Sequence, residues 1–169
     1  MVSNSRKIAL SGVMGALCIL CLYLASYLPT SRLFFYGVSS LFCACLVIEA
    51  GTGYAWTFYG ATSLLAFAVI PDKIKVIPYI AFFGMYGIIK CYIERLKNIA
   101  AEILLKGLYF AASACILFFL FKNLFLIDIK YKLPVWVICI AALVVFYIYD
   151  YAYTAFVMFY QKKIKSRIK

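Results

Sequence analysis

The stretch Arg6–Pro29, RKIALSGVMGALCILCLYLASYLP, decides how the rest of the chain is read. Two cations open it, 21 uncharged residues follow (Ile8–Leu28), and a proline closes it. A helix needs roughly 20 apolar residues to cross a hydrocarbon core of about 30 Å. Ile8–Leu28 is longer than the ~7–15-residue apolar region of a signal peptide, and further apolar stretches follow it, so it reads as a retained first membrane helix.

Working outward, the same pattern recurs. Polar or turn-forming breaks fall at Pro29–Arg32, Gly51–Gly53, Pro71–Lys75, Arg95–Asn98 and Asp128–Pro134. They leave the spans Ile8–Leu28, Leu33–Ala50, Tyr54–Ile70, Val76–Glu94, Ile99–Ile127 and Val135–Tyr160. The expected fold is all-α: an integral membrane bundle of six transmembrane helices forming a single domain over residues 1–169, with residues 161–169 as a basic tail. The fifth and sixth spans exceed the minimum and should tilt or project beyond the hydrocarbon.

Composition agrees. The chain is 67% hydrophobic and 14% charged, with a mean hydropathy of +1.01. A soluble domain of this size could not hide so much apolar surface. Histidine is absent, which removes the commonest general base and metal ligand. The seven cysteines all fall within the spans, where they read as small apolar side chains rather than a disulfide framework. No nucleophile motif, phosphate-binding loop or cleft of paired carboxylates is present. The chain is expected to have no catalytic residue, cofactor or metal.

Charge orients the bundle. Six spans place both termini on one side, together with Arg95 and Lys97. Lys90 and Lys106 lie nearer that face, giving it eleven of the 17 basic residues. The other face holds Arg32, Lys73, Lys75, Lys122, Lys130 and Lys132. The excess should be cytoplasmic, so both termini are expected inside. The basic tail suits anionic lipid headgroups; the expected counterpart is a membrane and not a nucleic acid.

Ionisable residues within spans are the first functional candidates in a membrane protein. Here they are Glu49, Lys90, Glu94, Glu102, Lys106 and Asp150. Lys90–Glu94 and Glu102–Lys106 have the four-residue spacing that lets side chains meet on one helix face. Lys106 and Asp150 lie about 10 and 15 Å from the inner face at 1.5 Å per residue. A Lys106–Asp150 bridge between helices is expected, as a structural pair or a latch.

The outer half would serve an imported ligand. Arg32, Tyr36 and Ser40 occupy the first outer loop and the start of the second span; Lys73 and Tyr79 the second loop; Asn123 and Trp136 the flanks of the third. These seven are the candidate substrate-binding residues. Six basic residues against Asp72 and Asp128 favour an anionic or carboxylate-bearing small molecule, although interfacial snorkelling by lysine and arginine explains the same charges. In the first span Ala9, Gly12, Gly15 and Ala16 form a small-residue face suited to close helix approach, hence a candidate partner interface.

Six helices, almost no soluble mass, and the start Arg6-Lys7-Ile8-Ala9-Leu10-Ser11-Gly12-Val13-Met14-Gly15-Ala16 resemble the substrate-binding S component of energy-coupling factor (ECF) vitamin transporters. In that family an alanine-rich face of the first helix docks on a coupling subunit. Here Gly12 and Ala16 are the nearest equivalents, and the strict Ala-x-x-x-Ala spacing is broken by Val13. The resemblance implies a high-affinity, non-enzymatic binding subunit for a vitamin or related small molecule. It implies a ligand near the outer face under a closing first loop, and a multi-pass protein of a bacterial cytoplasmic membrane. It also implies a transmembrane coupling subunit and two ATPase subunits as partners, since this chain has no nucleotide-binding loop. The alternatives are a non-transporting scaffold of the cell-shape machinery, similar in size to MreD-like proteins, and a small lipid-modifying enzyme.

Overall fold

The structure is a computed structural model that describes residues 4–96, 98–120 and 135–164. Among them every regular element is helical. The chain divides into two compact units, Met1–Arg95 and Leu96–Lys169.

The first unit holds α1 (Asn4–Tyr27), α2 (Arg32–Glu49), α3 (Thr52–Val69) and α4 (Gly84–Glu94). A 3-10 turn at Pro29–Ser31 joins α1 to α2; the proline restricts the preceding residue and ends the first helix. The α2–α3 turn rests on Gly51, whose φ of 96° is the only positive glycine φ among the described residues. Its N–H and that of Ala50 both donate to the Leu46 carbonyl, at 3.2 and 2.8 Å, which satisfies the helix end. Pro71 follows the end of α3. A 3-10 turn at Lys73–Lys75 and a π turn at Tyr79–Phe83 then lead into α4.

α2 packs against each of the other three helices. Cys18, Leu22 and Ala25 of α1 follow a four-then-three spacing on one stripe; Cys43 and Leu46 of α2, Ala55, Phe58 and Ala66 of α3, and Tyr79 complete the core. The buried set is unusually polar: Ser26, Ser39, Ser40, Thr62 and Lys90 are inside, while Ile8, Leu20, Phe34 and Leu64 are exposed. Apolar surface outside and hydrogen-bonded polar groups inside is the distribution a lipid solvent selects.

The second unit holds α5 (Ile99–Phe119) and α6 (Val135–Phe159), the latter ending in a π turn at Tyr160–Ile164. Asn98 starts α5 by accepting from the N–H groups of Ala100 and Ala101 at 3.1 and 3.4 Å, and Glu102 lies in the positive first turn, so cap and dipole both favour this start. The helices run antiparallel. Lys106 meets Asp150, and one turn on, Phe110 stacks on Phe146 at 4.6 Å between centroids. Their outward faces are strongly apolar, with Ile99, Leu104, Leu108, Ile148 and Tyr151 more than 60% exposed.

Among the described residues, five segments are long and apolar enough to cross a membrane: Ser5–Tyr27, Pro29–Glu49, Lys73–Glu94, Ile99–Phe119 and Cys139–Lys162. α3, at the place of the third expected span, is a helix but not one of the five. Thr52, Tyr54, Trp56, Thr57, Tyr59, Thr62 and Ser63 dilute its apolar character. Over its described residues the protein is thus all-helical, with helices that suit membrane embedding.

Candidate functional site

Where α1 and α3 end and α2 begins, the loop Pro71–Pro78 is tied down by its own charges. The Lys75 ammonium donates to the Ser26 carbonyl at 2.9 Å, in the last turn of α1, and pairs with Asp72 at 3.1 Å. The Lys73 ammonium donates to the carbonyls of Phe67 and Ile70, at the end of α3. The last four carbonyls of a helix have no intrahelical partner and carry the negative end of its dipole, so each lysine caps a helix terminus. Tyr36 donates its hydroxyl to the Lys75 carbonyl at 2.5 Å and its ring stacks on Phe83. The loop is thereby bolted to α1, α2 and α3.

Beneath the loop is a buried polar node. The Tyr79 hydroxyl lies 2.8 Å from the Thr62 hydroxyl and 3.4 Å from the Cys18 thiol. The Cys18 thiol also approaches the Ser39 carbonyl at 3.8 Å. Thr62 donates to the Phe58 carbonyl at 2.8 Å, and Ser39 to the Tyr36 carbonyl at 2.7 Å. Cys18, Ser39, Thr62 and Tyr79 are each at most 2% exposed. One phenol therefore connects α1, α3 and the π turn, and through Cys18 reaches α2. A buried hydroxyl left unpaired costs about 1–3 kcal/mol, so the node specifies how these elements register.

Arg32 stands differently. Its Nε is buried without a hydrogen-bond partner. It sits at the first position of α2, a helix with neither a side-chain cap nor an acid in its first turn. Its positive charge adds to the positive end of the α2 dipole.

In the second unit, the Lys106 ammonium is 4% exposed and holds two carboxylates, Glu102 at 2.5 Å and Asp150 at 3.1 Å. In the first unit, Lys90, 2% exposed, pairs with Glu94 at 2.8 Å and lies 5.9 Å from the centroid of the Tyr86 ring.

Of the seven expected ligand residues, the structure gathers Arg32, Tyr36, Ser40, Lys73 and Tyr79 in the first unit, in different roles. Arg32 has an unsatisfied donor, Lys73 is a helix cap, Tyr36 clamps the loop, and Tyr79 is fully buried. Ser40 is buried and donates to the Gly37 carbonyl at 2.7 Å. Asn123 lies outside the described residues, and so does the side chain of Trp136. On the small-residue face, Ala9, Gly12 and Ala16 are exposed. Gly15 turns towards α3, where an added Cβ would lie 3.7 Å from the Phe58 ring and 3.8 Å from the Thr62 methyl. Thr62 and Ser26 carry no signal in the sequence beyond a threonine or serine inside an apolar run. The cysteines are free: Cys18, Cys43 and Cys45 buried, Cys115 and Cys139 exposed. Among the described residues no group of three potential ligands is placed to hold a metal ion.

No family model, curated protein or solved structure matches the chain.

Proposed function

We propose that this protein is a non-enzymatic, membrane-embedded binding subunit that captures a small anionic or carboxylate-bearing molecule, of vitamin class. On this reading six helices span the cytoplasmic membrane of a bacterium with both termini inside, and the protein works with a separate coupling subunit and ATPases. The observation that carries it is Arg32. A buried guanidinium nitrogen without a partner, at an uncapped helix start, is unfavourable unless an acceptor completes it, and a carboxylate does so with two oxygens. The tied-down loop beside it supplies a rigid wall. Ala9, Gly12 and Ala16, uncovered on α1, offer a close-packing surface for a helix of the coupling subunit. The resemblance of the first helix to S components of ECF transporters points the same way.

Native mass spectrometry of the detergent-purified protein tests this. The expected result is a bound small acid that is lost in Arg32→Gln. A wild-type protein that carries no ligand and gains no thermal stability from a panel of carboxylated vitamins would refute it. One observation favours a second reading, a membrane scaffold of the cell-shape machinery: Lys73 and Lys75 are committed to helix ends rather than turned towards a ligand. Copurification with wall-synthesis proteins in place of a ligand would decide for it.

A further inference from the structure

Where α1 and α3 end and α2 begins, four charged side chains of the described residues stand together: Arg32, Asp72, Lys73 and Lys75. Two of them are already committed. The Lys75 ammonium sits on the Ser26 carbonyl and the Lys73 ammonium on the Ile70 carbonyl, each at 2.9 Å. Each of these positive charges is set against the negative end of a helix. A ligand gains little from a cation compensated in this way.

Arg32 and Asp72 keep unused capacity. Arg32 Nε is buried without an acceptor. Asp72 is paired through Oδ2 with Lys75 at 3.1 Å, and among the described residues it is not paired with Arg32. A carboxylate accepts at both oxygens, so Oδ1 is left over, on a side chain 41% exposed. The two groups are close in space: the Arg32 guanidinium and the Asp72 carboxylate both act on the Tyr36 hydroxyl. That hydroxyl is anchored. Tyr36 lies one turn after Arg32 on the same face of α2, and it donates to the Lys75 carbonyl at 2.5 Å, three residues along the loop from Asp72. A donor and an acceptor of opposite charge therefore flank one fixed phenol without joining each other.

We infer that the molecule taken at Arg32 is a zwitterion, an amino acid or similar small acid whose carboxylate is held by Arg32 and whose protonated amine is held by Oδ1 of Asp72. The inference rests on the reading of Arg32 as a carboxylate site and adds the second charge. A dicarboxylate would bring an anion against Asp72, and like charges repel. An acid without an amine would leave the Asp72 oxygen to water and gain nothing from it.

The test is binding to the full chain in detergent, read by thermal stabilisation and native mass spectrometry, with paired probes: tryptophan and indolepropionate, phenylalanine and phenylpropionate, aminocaproate and caproate. Any acid released from the purified protein is also treated with formaldehyde and cyanoborohydride, which methylate amines. In at least one pair the amino member should bind about 10- to 100-fold more tightly than its partner, the worth of one hydrogen bond to a charged group. Asp72→Asn should erase that preference, Asp72→Glu should keep part of it, and Arg32→Gln should weaken both members. The ratio within a pair is the readout, because a loop merely loosened by loss of the Lys75 pair would weaken both members alike. A copurified acid that takes up methyl groups supports the inference. Equal binding of both members by the wild type overturns it and leaves Arg32 as a carboxylate site; so does a preference that survives in Asp72→Asn, or a copurified acid that resists methylation. A protein that binds no probe and carries no acid overturns the Arg32 reading and the inference together.

Discussion

Replacing Lys106 with methionine is the sharpest test of how the second unit is held. Lys106 is 4% exposed and bridges Glu102 at 2.5 Å and Asp150 at 3.1 Å. Methionine keeps most of the side-chain volume but takes the Lys106 ammonium away from both carboxylates. Removing one partner of a buried ion pair costs about 3–5 kcal/mol. Glu102 and Asp150 are 28% and 15% exposed, so water relieves part of this, and about 2–4 kcal/mol is expected. Asp150→Asn should cost only about 1 kcal/mol, because Lys106 keeps Glu102 and the amide oxygen still accepts a hydrogen bond. Exchanging the charges, Lys106→Asp with Asp150→Lys, should recover only part of the loss. It places two carboxylates four residues apart on α5, and like charges at that spacing repel; adding Glu102→Gln should recover more. Sodium dodecyl sulfate titration in mixed micelles, followed by far-ultraviolet circular dichroism, gives the ranking. A Lys106→Met protein no less stable than Asp150→Asn would refute the reasoning.

Four further outcomes are expected in the same unfolding assay. Tyr79→Phe removes the phenol from Thr62 and Cys18 but leaves Thr62 bonded to the Phe58 carbonyl, so a loss of about 1 kcal/mol is expected; a loss near zero would show that the node does not hold the elements together. Gly84→Ala places a Cβ 2.8 Å from two atoms of the Tyr59 ring and 3.1 Å from Tyr79, which should cost about 1–3 kcal/mol by overpacking, whereas Gly60→Ala meets open space and should be neutral or stabilise by up to about 1 kcal/mol. Gly51→Ala forces a side chain into a φ of 96° and should cost about 1–3 kcal/mol, which equal melting temperatures for mutant and wild type would contradict.

The helices were legible because their signals are local. Prolines at 29 and 71 and the Gly51-Thr52-Gly53 turn mark ends that depend on nothing distant, and the four-residue spacings of Lys90–Glu94 and Glu102–Lys106 put each pair on one face of one helix. The cap at Asn98 is equally local, though in the sequence it marks only a break. What the loop lysines do was not legible. Lys73 and Lys75 look like a basic mouth in sequence, yet their ammonium groups sit on carbonyls of α3 and α1, and which helix ends flank the loop is decided by packing. Tyr79 read as an outer-loop residue for the same reason; only the π turn and the approach of α1 and α3 bury it. α3 is less apolar than the other spans because tyrosines, a tryptophan and hydroxyls interrupt it, whereas its length and lack of charge match theirs.

The π turn at Tyr79–Phe83 makes the α4 arm behave like a dial set one notch forward. The N–H of Gly84 reaches back five residues to the Tyr79 carbonyl, so everything beyond carries one residue more than an α-helix would, a rotation of about 100°. That offset brings Tyr86, Ile88 and Lys90 to buried positions while Tyr79 stays on the node. Length in this segment is therefore information, as composition is elsewhere. Losing a single residue between Tyr79 and Phe83 would change no polarity and shorten no span appreciably, yet it would turn the whole arm by more than a quarter of a circle and carry Lys90 out of its berth.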